Sequence, residues 1–549
     1  MDLLDRHGKA VHLDNVYVAP PNAHAYADAW AGIACDVPNG GLNANGRDRI
    51  LAMHNRSAFS GRNVPGACGL TLPPKLCVHP HSYLCLVALL KSIQPSSMIP
   101  MRRKARMKIA VTSLVAFLSL IGVDNAMAAD ESVGNCRIGI YRLRDGGEID
   151  IAPGADTHLR WRRKDGTSGE LTEAANGLWS STLGWTSRPD GIRVSFSECA
   201  KGEINFAGVS GRRIPLAVTE TQFQSGNARL AGRLLMPRGS ERVPIVVLVH
   251  GSEDSSALNF FALQRMFPTE GIGVFVYDKR GTGISGGNYS HDFALLAQDA
   301  VAAMREAKRL AGLRASRVGY QGTSQGGWVA PLAATMDPVD FVIVGYGLAV
   351  SPLEEDRAAI VLDITRHGFG ADVVAKAMEI ADASATVIAS NFKAGYDQVD
   401  AVRAKYEGEP WFKYVHGNFT FAVLQMPHDE LREKGPKLLP DIQPHYDPMP
   451  VLRKLKTSQL WILGEDDLDA PSAETARRLK ILAREGQPIT TAMFPRAEHG
   501  IFEYETSPDG TRLSTRNADG YFSMMRDFIL SGRLRTRYGS SVIYGPSRK

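Results

Sequence analysis

The chain has 549 residues, 44% hydrophobic and 22% charged, with a formal net charge of +5 at pH 7. That length allows more than one domain, and the composition is that of a globular protein rather than a disordered or fibrous one. So small a charge, with no long basic run, excludes the electrostatic footprint of nucleic-acid binding.

In chain order, residues 1–100 show little sustained periodicity yet hold four of the six cysteines and six of the 14 histidines. Residues 101–108 (MRRKARMK) are strongly basic, residues 109–123 are apolar, and Ala126-Met127-Ala128 is a small-residue cleavage site. These are the three parts of a secretory signal peptide over 101–128. The expectation is a start at Met101 or Met107, with residues 1–100 a misassigned extension. The alternative is a genuine cytoplasmic extension with an internal anchor. The apolar stretch is short for a membrane span, so no stable span is expected after cleavage. Cleavage leaves Cys136 and Cys199 as a pair, which an oxidising compartment turns into a disulfide; two buried thiols are the other reading.

Residues 129–220 show short β-type runs (CRIGIYRL, THLRWRR, GLWSSTLGW, GIRVSF, EINFAG) separated by turns such as Asp145-Gly146-Gly147 and Asp190-Gly191. They predict a small β-rich domain whose aromatic residues form a core. Its sequence discloses no function.

Residues 221–549 read as an α/β domain. Residues 228–237 suggest a strand pair leading into a central sheet. Residues 244–249 (PIVVLV) form a continuous apolar run, the mark of a parallel strand buried on both faces, and end in His250-Gly251-Ser252-Glu253. His250 precedes any nucleophile in the chain, so it is expected to hold the following loop by hydrogen bonds. A Gly-rich loop, Asp278 to Gly287, then contains Gly283-Ile284-Ser285-Gly286-Gly287, one of two G-x-S-x-G matches.

The second match, Gly322-Thr323-Ser324-Gln325-Gly326, lies between a strand-like run (317–321) and a small-residue helix start (327–335). A strand–turn–helix setting makes Ser324, not Ser285, the candidate nucleophile: the kink exposes the hydroxyl and the helix N-terminus behind it favours negative charge. Residues 341–346 (FVIVGY) form the next strand. The hundred-odd residues that follow, mostly helical in pattern, predict a lid at 352–450, since connections between adjacent strands are normally only a few residues. Trp411, Phe412, Tyr414, Phe419 and Phe421 are candidates to line an acyl or leaving-group pocket, with packing inside the lid the expected role of most of them. The strand at 458–463 ends in Gly464-Glu465-Asp466-Asp467-Leu468-Asp469-Ala470-Pro471, where the candidate acid is Asp467, with Asp466 and Asp469 as alternatives. A last strand at 490–494 precedes His499, the candidate base. In this reading Ser324 attacks, His499 carries the proton and Asp467 fixes the imidazole tautomer.

Together His250-Gly251-Ser252, Asp278-Lys279-Arg280-Gly281-Thr282-Gly283-Ile284-Ser285-Gly286-Gly287, the Ser324 elbow, Gly464 to Pro471 and His499-Gly500 resemble the α/β-hydrolase superfamily over residues 223–534. The likeness is nearest to bacterial esterase-like members. It implies a doubly wound, mostly parallel sheet with a helical lid, an oxyanion hole from the backbone N–H groups of Gln325 and Ser252, and a structural role for the Ser285 loop. Where relatives often carry Gly or Pro after His-Gly-Ser, this chain has Glu253-Asp254, which disfavours acidic substrates. The implied activity is hydrolysis of esters or thioesters of a small-molecule acyl substrate outside the cytoplasm, without cofactor or metal and with no nucleic-acid partner. The alternative is a serine peptidase, with Glu253 or Asp254 as an amine site. A non-catalytic binder on the same scaffold is disfavoured by the complete set of catalytic residue types. The oligomeric state is not legible.

Overall fold

The computed structural model describes residues 2–4, 10–12, 136–174, 177–508 and 510–545. The expected signal peptide and nearly all of the 1–100 extension lie outside them; β1 (Asp2–Leu4) and β2 (Ala10–His12) form an antiparallel pair.

Residues 139–213 close into a barrel of eight antiparallel strands. These are β3 (Gly139–Leu143), β4 (Glu148–Pro153), β5 (Leu159–Arg162), β6 (Ser168–Glu173), β7 (Trp179–Leu183), β8 (Pro189–Phe196), β9 (Glu203–Phe206) and β10 (Val209–Arg213), with β10 returning to pair with β3. Closure removes both sheet edges. Tyr141, Ile151, Trp161, Leu171, Trp179 and Phe206 fill the interior, so these aromatic residues are packed core, as the aromatic content of the region suggested. The turns match their residues: at the β3–β4 hairpin Gly146 takes φ 88° and Asp145 accepts a hydrogen bond from the Gly147 N–H. Cys136 and Cys199 are joined by a disulfide with a Cα–Cα distance of 5.5 Å.

A nine-stranded sheet follows, in the order β11 (Ala217–Ser225), β12 (Ala228–Met236), β14 (Gly273–Tyr277), β13 (Val243–Val249), β15 (Ala315–Thr323), β16 (Phe341–Gly345), β17 (Ser458–Gly464), β18 (Ile489–Phe494) and β22 (Val542–Tyr544). The pairs from β14 to β18 are parallel, while β11–β12, β12–β14 and β18–β22 are antiparallel. Every residue of β13, β14 and β16 is buried, because helices cover both faces. Helices Phe293–Ala311, Gly326–Met336 and Ser472–Arg484 pack on one face and Tyr521–Ser531 on the other.

Two expectations change. Residues 228–236 are one strand, not two; its partner is β11, which a boundary at 220 would cut in half. The partner was hidden because β11 is mostly exposed and so lacks an apolar signature. Around His499 the chain also builds a small sheet, β19 (Ala497–Glu498), β20 (Phe502–Thr506) and β21 (Arg512–Asn517), that no sequence run announced. It touches the barrel through a bridge between Arg516 and Thr167 and an edge-on contact of Phe502 with Trp185, ring centroids 4.4 Å apart. The barrel is further docked by Arg265, whose guanidinium donates to both oxygens of buried Asp150 at 2.5 and 3.0 Å.

Between β16 and β17 the helices Pro352–Arg366, Ala371–Ala389, Tyr396–Tyr406, Thr420–Gln425 and His428–Leu438 form an insertion with its own apolar core. Trp411 and Phe419 lie inside that core, and Phe412 and Tyr414 pack against it. Ser351 opens the insertion with a reciprocal cap: its hydroxyl accepts from the Glu354 N–H while its own N–H donates to the Glu354 carboxylate. No helix among the described residues is long and apolar enough to cross a membrane.

Candidate active site

Ser324 sits at the tip of β15 with φ 49°, a left-handed conformation that a non-glycine residue adopts only where its surroundings enforce it. The enforcement is steric. A Cβ at Gly322 would lie 2.3 Å from the Gly326 carbonyl oxygen, and one at Gly326 would lie 2.4 Å from that of Val249. The glycines therefore let β13, β15 and the helix Gly326–Met336 pack closely enough to force the kink. The Ser324 N–H donates to the Gly345 carbonyl at 3.1 Å, which ties the turn to β16.

Asp467 and His499 extend from the ends of β17 and β18. His499 Nδ1 lies 3.0 Å from Asp467 Oδ2 and 3.2 Å from Oδ1. Asp467 Oδ1 also accepts from the N–H groups of Asp469 and Ala470, which fixes the carboxylate in its loop. Both side chains are buried, and His499 Nε2 has no hydrogen-bond partner among the described residues. Burial pulls the imidazole pKa down, but the charge and hydrogen bond of Asp467, helped by Asp469 and Glu253, outweigh it, and the pKa ends above 6.5. The Tyr346 ring packs edge-on against His499 at 4.7 Å and holds its plane.

The alternatives have other partners. Asp466 accepts from the Tyr504 hydroxyl at 2.6 Å. The Asp469 backbone carbonyl accepts from the Asn418 side chain of the lid at 2.8 Å. Asp467, Asp469 and His499 do offer ligating atoms within 4.8 Å of one another, a spacing that also suits a divalent cation; the two backbone bonds to Asp467 suit a carboxylate fixed to orient an imidazole. Ser285 is fully engaged: its hydroxyl donates to the Asp278 carbonyl at 2.6 Å and accepts from the Ala231 N–H at 2.9 Å.

The loop after β13 runs beside Ser324 and is held from below. His250 Nε2 accepts from the Lys279 N–H at 3.0 Å, the loop-holding role expected of it. Lys279 Nζ donates to the Gly251 carbonyl at 2.8 Å, and the Tyr289 hydroxyl donates to the Ser252 carbonyl. Burial lowers the Lys279 ammonium to about 8 against the raising charges of Glu253 and Asp254.

Residues 240–353, which carry this loop, the Gly-rich loop and the Ser324 elbow, match the family described as serine aminopeptidase, S33. The sheet and its Ser324 elbow have the α/β-hydrolase fold. Over 122 residues it is 30% identical to the quorum-quenching protein AidA of Acinetobacter baumannii (strain MDR-ZJ06), a match covering 22% of this chain and 40% of that protein. The chain thus spans less than half the length of that curated relative. Among solved structures it is similar to an acylaminoacyl peptidase of Pyrococcus horikoshii, with 14% identity, a TM-score of 0.35 and coverage of 69% of this chain and 55% of that one. It is also similar to the Pyrococcus furiosus esterase Pf2001, with 14% identity, a TM-score of 0.33 and coverage of 52% and 83%.

Lid residues share a pocket with Ser324. The pocket beside the hydroxyl is walled by Ser252, His291 and Gln325 from the sheet side and by Glu355 and Phe419 from the lid. Its free volume is about 20 Å³, room for about one water molecule. Burial, reinforced by Asp467, Asp356 and Asp469, holds the Glu355 carboxyl well above 4.5. Sequence reasoning missed Lys279, His291 and Glu355. The Ser351 cap marks where the lid helix begins, but nothing in the sequence says which of its residues faces the nucleophile.

Proposed function

We propose that the protein is an exported serine hydrolase that cleaves carboxylic esters or thioesters through an acyl-enzyme. Ser324 Oγ attacks the acyl carbon and its proton passes to His499 Nε2. Asp467 keeps the other ring proton on Nδ1 and stabilises the imidazolium. The oxyanion takes hydrogen bonds from the N–H groups of Ser252 and Gln325. Lys279 donates to the carbonyl of the same peptide unit that supplies the Ser252 N–H, which polarises that unit and strengthens the donor. His499 returns the proton to the leaving alcohol or thiol, and water repeats the cycle.

The observation that carries this reading is the buried 3.0 Å contact of His499 with Asp467, on the strand ends neighbouring a Ser324 held at φ 49°. The disulfide and the signal-peptide pattern at 101–128 support an oxidising compartment. Glu253 and Asp254, together with the family's description as serine aminopeptidase, support peptide hydrolysis as the second reading.

The test is fluorophosphonate labelling of protein beginning at Ala129, followed by a panel of p-nitrophenyl esters, acyl-CoA thioesters and aminoacyl anilides. Ser324→Ala is expected to abolish labelling while Ser285→Ala leaves it unchanged. Loss of labelling in Ser285→Ala alone would overturn the nucleophile assignment, and turnover of anilides alone would select the peptidase.

A further inference from the structure

The loop that carries the assigned Ser252 donor lies directly against the nucleophile. A Cβ on Gly251 would sit 3.2 Å from Ser324 Cβ and 2.5 Å from Glu253 Oε2. Two side chains grip this loop by consecutive carbonyls. Lys279 Nζ donates to the Gly251 carbonyl at 2.8 Å, and the Tyr289 hydroxyl donates to that of Ser252. The ammonium also lies 4.6 Å from the centroid of the Tyr289 ring, and the Lys279 N–H donates to His250 Nε2 at 3.0 Å. A trans peptide unit points its C=O and N–H in opposite directions, so a cation on the Gly251 carbonyl both fixes and polarises the Ser252 N–H on the far side.

Lys279 is buried, an expensive place for an ammonium. Burial pulls its pKa down and the charges of Glu253 and Asp254 resist, which leaves it at about 8. The other titratable groups around it do not change charge near that pH. Burial, and after it the Lys279 charge, hold the His250 imidazole well below 6.5 and that of His291 at about 3, so both rings are neutral. Burial, reinforced by Asp254 and Glu253, raises the Tyr289 phenol well above 10, so it stays protonated. Glu253 and Asp254 are thus the groups that keep the ammonium charged.

We propose that Lys279 is a positioning residue of the oxyanion hole, and that Glu253 and Asp254 act on catalysis by keeping its ammonium charged, so that the enzyme carries a built-in alkaline limit. The proposal rests on the serine hydrolase reading, with Ser252 as an oxyanion donor. A neutral amine still offers an N–H to the Gly251 carbonyl, but it loses the charge that makes such a bond roughly twice as strong. The charged form is present below the lysine pKa and is lost as pH rises through it, so stabilisation of the oxyanion fades in that direction.

The experiment is the profile of kcat/KM against pH, from about pH 6 to 10, which reports groups of the free enzyme. The substrate is p-nitrophenyl butyrate, which has no amine for an acidic side chain to bind, and spontaneous hydrolysis is subtracted. The wild type is expected to show an alkaline limb with its midpoint near 8. Asp254→Asn and, separately, Glu253→Gln are expected to move that midpoint below 8, because each removes a charge that raises the lysine. Glu253 also raises His499, so Glu253→Gln moves the acid limb the same way, and Asp254→Asn is the cleaner probe. Lys279→Met is expected to abolish the alkaline limb and to lower kcat on the order of 10-fold with KM little changed, less than the loss of an oxyanion donor itself. If Lys279→Met does not fold, the two acidic-residue variants decide. A wild-type profile flat through the alkaline range overturns the proposal. So does a limb that keeps its midpoint in both acidic-residue variants, or one that survives in folded Lys279→Met. Absence of fluorophosphonate labelling together with no turnover in the wild type is a different result: it removes the serine hydrolase reading, and this proposal with it.

Discussion

At the scale of single residues, the assignment of the acid separates three neighbouring aspartates by what each one touches. Asp467 contacts His499 Nδ1 at 3.0 Å, while Asp466 holds Tyr504. Asp467→Asn is expected to lower kcat by about 10⁴, because an amide at that position favours the wrong imidazole tautomer. Asp466→Asn and Asp469→Asn are expected to act mildly, and steady-state kinetics of the three variants distinguish them. The pH profile follows from the same contact. In the proposed mechanism His499 must be neutral to accept the Ser324 proton, and its pKa is raised above 6.5 because Asp467 outweighs the effect of burial. Activity is therefore lost as pH falls, and the acid limb of kcat/KM is expected to have its midpoint above 6.5. A midpoint well below 6.5 contradicts the proposed coupling.

At the scale of elements, one buried side chain joins two helices of the lid. Asp356, in helix Pro352–Arg366, accepts from the N–H groups of Phe419 and Thr420 at 2.6 and 3.0 Å and from the Thr420 hydroxyl at 2.7 Å. It thereby caps helix Thr420–Gln425 from a neighbouring helix and sets the position of Phe419 over the nucleophile. Asp356→Ala is expected to destabilise the lid by about 3 kcal/mol, since it leaves buried N–H donors unpaired. Hydrogen exchange within residues 415–426 is expected to speed up while exchange in the central strands stays slow. The helical pattern of this region and its position between strands were legible in the sequence, because an insertion of that length has no other place to go. Which faces of the helices meet was not legible, because Asp356 and Thr420 are brought together from positions 64 residues apart.

At the scale of the whole molecule, the barrel and the catalytic sheet are tied by a buried ion pair. The Asp150 carboxylate in β4 and the Arg265 guanidinium make a two-pronged contact at a junction that excludes water. Asp150→Ala strands the guanidinium and is expected to cost about 3–5 kcal/mol in denaturant unfolding. Replacing both partners with apolar residues is expected to cost less than this single change. The disulfide acts on the unfolded chain instead: closing a loop with a sequence separation of 63 contributes roughly 4 kcal/mol in the chain-entropy model.

The sequence by itself determined the parts whose information is local. The Ser324 elbow is readable because its glycines are demanded by contacts within a few residues on either side. The buried strands are readable because burial on both faces leaves a continuous apolar run, and the order Ser324, Asp467, His499 follows from the order of strands in the sheet. Only the tertiary structure decided what depends on residues distant in the chain. The exposed strand β11 and the sheet β19–β20–β21 carry no apolar signature. The contact of Asp467 with a histidine 32 residues away exists only in the packed chain. So does the pairing of His291 with Gln325 across 34 residues. Local sterics and hydrophobic periodicity write themselves into neighbouring letters; burial and mutual approach of side chains are properties of the packed chain, so they appear only when the elements have come together.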